Sequence, residues 1–595
     1  MPILNIKTMN LKDCRYSLVL IALLLGMVAC AQEKVSDPVR LNQIGFYPTA
    51  QKIAVVITDV ENEFYIATPD LKKKLFSGKL SEVRSSPYSS KKTCIADFSA
   101  FTKEGNYVLV VPNIGQSYSF EIKNKVHDDV VKASIKSYYF QRASTSLQEQ
   151  YAGKWKRKAG HPDDKVLIHG SAASEKRPEG FGISSSRGWY DAGDYNKYMV
   201  NSGITMGTML SAYEDYSTYF GQLNLDIPES KNEVPDLLDE LLWNLRWMLT
   251  MQDPNDGGVY HKCTNAKFDG MVMPDFTTLP RYAVQKGTAA TLDFAAVTAQ
   301  ASRVYRKFEK QFPGLADSCL RASVNAWQWA VKNPNIEYNQ NAINKQFDPD
   351  ISTGAYGDSS FKDEFSWAAS ELYITTMDDS YYQSMITYTE SEMTLPSWAS
   401  VRALGQYSLL RFNKSLTPLA QKDFDERKRK LIAMTDTWLK DIDNTIYQTV
   451  MGQSKRDFVW GSNAVCANQG IALLYAYQFL GDAKYLNAAL SNLDYLLGRN
   501  GTGYSFVTGS GDKTPMHPHH RPSEADGVVE PIPGLLAGGP NPNMQDKCNY
   551  SSSVADETYV DDVCSYASNE VAINWNAPLV YLVSAIEAIQ LQKGK

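Results

Sequence analysis

Between residues 39 and 125 the hydrophobic positions come in short alternating runs. Lys52 to Val60, Glu63 to Pro69, Asn106 to Pro112 and Tyr118 to Ile122 are β-rich stretches separated by turn residues, a pattern that predicts a small all-β sandwich. After His127 the period lengthens to that of a helix. In Pro235 to Met251, Leu237, Leu238, Leu241, Leu242, Leu245, Met248 and Leu249 fall on one face, with a proline where a first turn tolerates it. Similar stripes cover 127 to 145, 202 to 219, 288 to 308, 316 to 332, 363 to 376, 398 to 412, 421 to 440, 463 to 480, 483 to 498 and 570 to 590. Helices joined by long Gly- and Asp-rich loops argue for a large all-α domain over residues 126–595 and against alternating βαβ units. Long loops in such a domain commonly carry function.

Ahead of both parts, Lys7, Lys12 and Arg15 precede an uncharged run from Ser17 to Ala29. A membrane-spanning helix needs roughly 20 apolar residues. This run is shorter, so residues 1–29 read as an export signal. Met27-Val28-Ala29-Cys30 resembles a bacterial lipoprotein box. That resemblance implies a lipid on Cys30 as the one membrane contact, a place at the cell envelope (outer membrane or periplasm), and residues 30–38 as a linker. Plain secretion is the alternative.

Lys plus Arg number 60 against 66 Asp plus Glu, a net charge of −6, so there is no basic excess to bind a phosphate backbone. Nucleic acid is excluded as an expected partner. All 11 Trp lie between Trp155 and Trp575, none in the sandwich. Beyond Cys30 the cysteines are Cys94, Cys263, Cys319, Cys466, Cys548 and Cys564, too scattered for a disulfide framework and without a CxxC or CxxxC spacing for zinc. Cys548 and Cys564, which enclose a polar loop, are the one pair expected to be bridged.

Three segments carry candidate chemistry. Gly188-Trp-Tyr-Asp191-Ala-Gly-Asp194-Tyr-Asn-Lys-Tyr198 sets two carboxylates three residues apart in an aromatic frame. Such a pair binds a metal, caps a helix or holds a water for base catalysis. In Ser505 to Arg521, His517, His519 and His520 gather beside Arg521. Adjacent histidines do not readily face one ion and Arg521 repels it, so donors toward a polar ligand fit better than zinc ligands. In Tyr559 to Ala577, Glu570 opens an apolar helix between Tyr566 and Trp575. An aromatic setting raises a carboxyl pKa as a general acid requires, while a helix N-terminus alone also favours a glutamate.

Together these segments resemble glycoside hydrolase family 9, the cellulase family with an (α/α)6 barrel, in the form that carries an N-terminal immunoglobulin-like domain. Val39-Arg-Leu-Asn-Gln-Ile-Gly-Phe-Tyr-Pro48 looks like the opening of that β-domain, and Asp494-Tyr-Leu-Leu-Gly-Arg-Asn500 leads into the His-Arg segment as in the family. The resemblance implies an endo-acting β-1,4-glucanase that inverts the anomeric carbon. Asp194 matches its general base, Asp191 the partner that holds the attacking water, and Glu570 the general acid. His519 and Arg521 match groups that hydrogen-bond the sugar, and Asp561 and Tyr566 match positions lining the same cleft.

Trp189, Trp460 and Trp575 are candidate sugar platforms, with core packing as the alternative for each. Asp358, Asp363 and Glu364 resemble the family's calcium-binding segment, although a downstream carboxylate is missing near Ser400. A helix N-cap at Asp363 is the competing reading. The expected partner is therefore a β-glucan poly- or oligosaccharide, handled by a monomer with no cofactor for chemistry beyond that structural calcium. Specialisation for xyloglucan or mixed-linkage glucan is one alternative, and a non-catalytic surface glycan-binding lipoprotein is another.

Overall fold

The computed structural model describes residues 35–388 and 392–593. The export signal and Cys30 lie outside them. The β-domain is a two-sheet sandwich. One sheet orders the strands Val39–Arg40, Ile53–Ile57, Lys92–Asp97 and Arg84–Ser85. The other orders Gly45–Phe46, Phe120–Ile122, Gly105–Val111, Glu63–Ala67 and Lys74–Lys79. The expected linker is shorter than residues 30–38, because Val35 bridges to Gln116 and the Ser36 N–H bonds the Gln116 carbonyl, making 35–38 an edge of the sandwich.

Ile53–Ile57 is buried on both faces. Ala54 and Val56 face the sandwich core with Phe46, Phe64 and Phe120, whereas Ile53, Val55 and Ile95 pack into the core of the helical domain. Burying each of those three contributes about 1.5–3 kcal/mol, so the second domain covers apolar surface that an isolated sandwich would expose. Polar contacts register the two parts: Tyr47 donates to Glu587 at 2.8 Å, Asn42 to Asp494 at 2.8 Å, and the Arg40 guanidinium to the Asn500 carbonyl at 2.9 Å.

Among the described residues, the twelve longest helices build the second domain in inner–outer pairs. Met199–Phe220, Thr288–Tyr305, Lys362–Thr376, Arg402–Phe412, Ser462–Leu480 and Ile573–Lys593 form the inner ring. Against them lie Asp236–Thr250, Leu315–Lys332, Asp379–Ile386, Phe424–Leu439, Ala483–Leu496 and Asp128–Gln141. The inner helices are buried almost all round and rich in Ala, Gly, Ser and Thr, which lets them approach one another. The outer ones keep the single apolar stripe read from sequence. Asp379–Ile386 was not anticipated; it starts on an Asp378 cap that accepts the Ser380 N–H.

The loops at one end hold a small sheet that no hydrophobic period announces. Its order is Gly182–Ile183, Val166–Ile168, Tyr282–Ala283, Lys262–Thr264 and Lys197–Tyr198. The last strand runs from the Asp191–Asp194 loop straight into Met199–Phe220. Cys548 and Cys564 are bonded, and Cys94, Cys263, Cys319 and Cys466 are buried thiols.

Candidate active site

The loop carrying Asp191 and Asp194 is braced from three sides. The Tyr190 N–H bonds the Gln141 carbonyl at a helix end, the Ile573 N–H bonds the Asp191 carbonyl at 2.8 Å, and Arg521 donates through Nη1 to the Gly193 carbonyl at 2.6 Å. Gly193 has to be glycine, since a Cβ there would stand 2.2 Å from the His519 carbonyl oxygen. The His519 segment runs beside Glu570: the His519 N–H bonds the Asn569 carbonyl at 2.9 Å, and the Gly538 N–H bonds that of Glu570. Two loops separated by hundreds of residues, joined through the His519 segment, thus bring Asp191, Asp194 and Glu570 to the wall of one cleft of about 630 Å³.

Each carboxyl has a distinct setting. On Asp194, Asn196 Nδ2 (2.5 Å) and the Tyr198 hydroxyl (2.9 Å) both donate to Oδ2, leaving Oδ1 as the atom to take a proton from water. Asp191 accepts Asn201 Nδ2 on both oxygens at 3.0 Å and the Tyr356 hydroxyl on Oδ2 at 3.0 Å. Burial and the neighbouring charge of Asp194 hold the Asp191 carboxyl well above the usual range. Glu570 is likewise pushed well above it by burial, then by the charges of Asp194 and Asp191. A carboxyl that keeps its proton at neutral pH can donate it, which is the property of a general acid.

His519 Nδ1 lies 2.6 Å from the Val563 carbonyl, which requires the proton on that nitrogen. Burial lowers its basicity, and the ring lines the cleft. Arg521 also donates Nε–H to the Asp269 carbonyl and packs on Phe268, itself 44% exposed at the cleft. Trp460, 46% exposed, stands beside Tyr566 with ring centroids 5.6 Å apart, and both line the cleft with Trp575. Gly461, at φ +85°, makes room for that third ring: a Cβ would meet its Nε1 at 2.5 Å.

Two expectations are corrected. Trp189 is no platform; it is 0% exposed, packs on Tyr138 and donates Nε1–H to buried Glu240 at 2.8 Å. Asp561 does not line the cleft. Its carboxylate accepts the Met516 and His517 N–H groups and Asn569 Nδ2, so it shapes the turn that presents His519. His517 and His520 also stay out of the cleft, His520 being buried between Ser523 and Gln141. Sequence reasoning missed Trp398, Tyr356, Tyr198, Asn196 and Asn201. Tyr198 and Asn196 sat inside the quoted acidic segment; the others come from distant loops or the next helix with no local signal.

Around the calcium-like segment, Asp363 Oδ2 accepts the Val401 N–H at 2.8 Å and Asp358 Oδ1 accepts the Ser360 N–H. Asp363 is thus no N-cap; it lies in the first turn, behind Phe361. Among the described residues no group of three or more His, Cys, Asp or Glu side chains is arranged to hold a metal ion. Yet Asp358 Oδ2, Glu364 Oε2 and both oxygens of Asp293 are buried without a hydrogen-bond partner. Burial, then mutual repulsion among these acids, raises Asp293 and Glu364 well above the carboxylate range. Orphaned hard oxygens of this kind fit a divalent cation.

Comparison with known proteins agrees with the geometry. The family model for glycosyl hydrolase family 9 matches residues 127–583, and that for the cellulase N-terminal ig-like domain matches residues 34–116. A xyloglucan-specific endo-β-1,4-glucanase of Bacteroides ovatus is 46% identical over 590 residues, 98% of this chain and all of that protein. Endoglucanase D of Acetivibrio thermocellus is 34% identical over 92% of this chain and 83% of its own length. Among solved structures, a Bacteroides ovatus family 9 protein superposes with a TM-score of 0.89 at 46% identity, over 93% of this chain and 99% of that one. A thermostable endoglucanase from Alicyclobacillus acidocaldarius gives 0.81 at 28% identity over the same shares. With both domains matched and the three carboxyls on one cleft, the chain belongs to glycosyl hydrolase family 9, as a cellulase-type hydrolase with an N-terminal immunoglobulin-like domain.

Proposed function

We propose that the chain is an inverting endo-β-1,4-glucanase whose preferred substrate is xyloglucan. Glu570 protonates the leaving glycosidic oxygen while Asp194, with Asp191 helping to hold the water, takes a proton from the nucleophile on the opposite face of the sugar. Hydrolysis of this kind needs no cofactor. The observation that carries the reading is the asymmetry of the three carboxyls: Glu570 is held protonated by burial and negative neighbours, opposite an Asp194 whose Oδ1 is left for water. A mere glycan binder has no use for such an acid beside such a base. The open cleft, flanked by Trp398, Trp460, Trp575 and Phe268, suits a polymer backbone, and the Bacteroides ovatus relative supports xyloglucan among β-1,4-glucans.

Reducing-end release and product profiling on cellulose, mixed-linkage glucan, xyloglucan and glucomannan test both parts. Glu570→Gln and Asp194→Asn are each expected to lower kcat by about 10²–10⁴-fold while glucan binding persists. Near-wild-type turnover by folded Glu570→Gln would sink the assignment, and a preference for undecorated cellulose would sink the substrate. We also propose that the mature chain acts as an exported monomer lipidated at Cys30, which the mass of its N-terminal peptide tests. A structural calcium held by Asp293, Asp358, Asp363 and Glu364 completes the proposal; it would link the Thr288–Tyr305 and Lys362–Thr376 helices.

A further inference from the structure

Lys262 is a buried cation with no place in the reaction described above. Its side chain is fully enclosed, and among the described residues no carboxylate lies within ion-pair distance. Nζ instead makes three hydrogen bonds, to Gln340 Oε1 (2.7 Å), Thr353 Oγ1 (3.0 Å) and the Gly354 carbonyl (2.7 Å). Three acceptors use all three protons of an ammonium group. The Thr353 hydroxyl has its own acceptor in Thr264 Oγ1 at 2.7 Å, so it need not donate to the nitrogen. The cation also stands over the rings of Tyr198 (5.5 Å) and Tyr338 (5.3 Å).

The residue before it acts on the same segment. His261 stacks on Tyr338 at 4.0 Å and bonds the Ala355 carbonyl through Nε2 at 2.8 Å. Two successive carbonyls, Gly354 and Ala355, are therefore tied to two successive side chains, Lys262 at the start of its strand and His261 just before it. What this fixes is the stretch from Thr353 to Tyr356. The Gly354 N–H bonds the Tyr198 hydroxyl, which donates to Asp194, and the Tyr356 hydroxyl donates to Asp191. Tyr356 is held there at φ +46°, a left-handed conformation that a bulky residue keeps only when its surroundings impose it.

We infer that Lys262, with His261, is a positioning residue of the reaction: the pair clamps segment 353–356 so that both phenols reach the two aspartates, and the ammonium places a positive charge behind the Tyr198–Asp194 hydrogen bond. Burial pushes the Lys262 ammonium well below the ordinary lysine range and attraction to Asp194 offsets this only in part, while the three acceptors around Nζ favour the charged form. The titratable groups facing Lys262 are Asp194 from the acidic loop, Tyr198 from the adjoining strand, His261 just before its own strand, and Tyr338 from the segment before Gln340. Burial holds His261 at about 3, so it is a neutral donor at working pH. The clamp rests on the reading of Asp194 as base.

The test compares wild type, Lys262→Met, Lys262→Arg, His261→Leu and Asp194→Asn on soluble xyloglucan. Lys262→Met keeps the apolar stem and removes the charge with its three donors. It is expected to lower kcat by about 10–100-fold with KM within about twofold, and to move the acid limb of the pH–rate profile about one unit higher. Lys262→Arg restores the acid limb, since it keeps the charge. Should Lys262→Met fail to fold by circular dichroism and thermal unfolding, His261→Leu serves, with a fall in kcat at unchanged KM and no shift of the acid limb. Folded Lys262→Met with wild-type kcat and acid limb overturns the inference, as does a parallel loss in kcat and KM with the limb unmoved. If Asp194→Asn itself stays active, the assignment of the base has failed, and that result is separate from the behaviour of Lys262.

Discussion

Tyr356→Phe isolates one hydrogen bond at the aspartate pair. The substitution keeps the ring, which packs edge-on against Trp398 with centroids 5.4 Å apart and against Tyr198 at 4.9 Å. It removes only the hydroxyl that donates to Asp191 Oδ2 at 3.0 Å, leaving Asn201 as the donor to that carboxyl. A hydrogen bond to a charged group contributes about 1.5–3 kcal/mol, and one pKa unit corresponds to about 1.4 kcal/mol. The lost donor stabilised the ionised form, so the Asp191 carboxyl, already raised by burial and by Asp194, rises by about 1–2 units more. Loss of activity on acidification should therefore begin at a pH about 1–2 units higher in the variant. The alkaline limb, governed by Glu570, should stay in place. The phenol itself is pushed well above its ordinary value by burial and so remains a donor throughout the wild-type profile. Initial rates of reducing-end release from soluble glucan, fitted for kcat/KM across pH, measure the shift. An acid limb that superimposes on wild type, or moves lower, refutes the argument that this hydroxyl supports the charge of the pair.

How far the sequence reveals this site depends on the length scale of the signal. Helices with one apolar stripe, such as Asp236–Thr250 and Leu315–Lys332, are legible because burial on one side imposes a 3.6-residue period over several turns. The strand Lys74–Lys79 lies at a sheet edge with polar residues on it, and the loop sheet has strands of two or three residues, too short for any period. Both escape a reading by pattern, yet the loop sheet is what seats Tyr198 and Lys262 beside the acidic loop. Dense motifs exposed Asp191, Asp194, Glu570, His519 and Arg521, since the chemistry itself constrains several neighbours at once. Single residues did not announce themselves. Trp189 and Trp460 both sit next to glycine, and only the fold decides that one ring finds a buried Glu240 for its N–H while the other stays open to the cleft. Asp293 reads as a polar residue in an Ala-rich helix until Asp358, Asp363 and Glu364 are seen to act on it.

The cation cluster predicts that chelation lowers Tm and that millimolar calcium restores it, a ligand at 100 times its Kd stabilising by about 2.7 kcal/mol; a Tm indifferent to both removes the site. The last expectation concerns acid stability. His520 is fully buried, with Nδ1 2.9 Å from Ser523 Oγ and Nε2 3.1 Å from Gln141 Oε1, and burial lowers it to about 3. Its folded value lies below the unfolded one near 6.5, so the unfolded chain takes up the proton first. The stability it contributes is whole above about pH 6.5 and drains away as pH falls toward 3, a loss of about 2 kcal/mol by pH 5. His520→Gln retains a donor and an acceptor for the same two partners but does not titrate. Urea unfolding at pH 7 and pH 5 should therefore show the variant losing about 2 kcal/mol less than wild type on acidification, whatever its absolute stability. Buried His127, His161 and His261 contribute the same sign in both proteins and cancel in the difference. An equal loss in variant and wild type would mean that His520 takes up its proton over the same pH range in the folded chain as in the unfolded one, so that its burial between Ser523 and Gln141 does not hold it neutral.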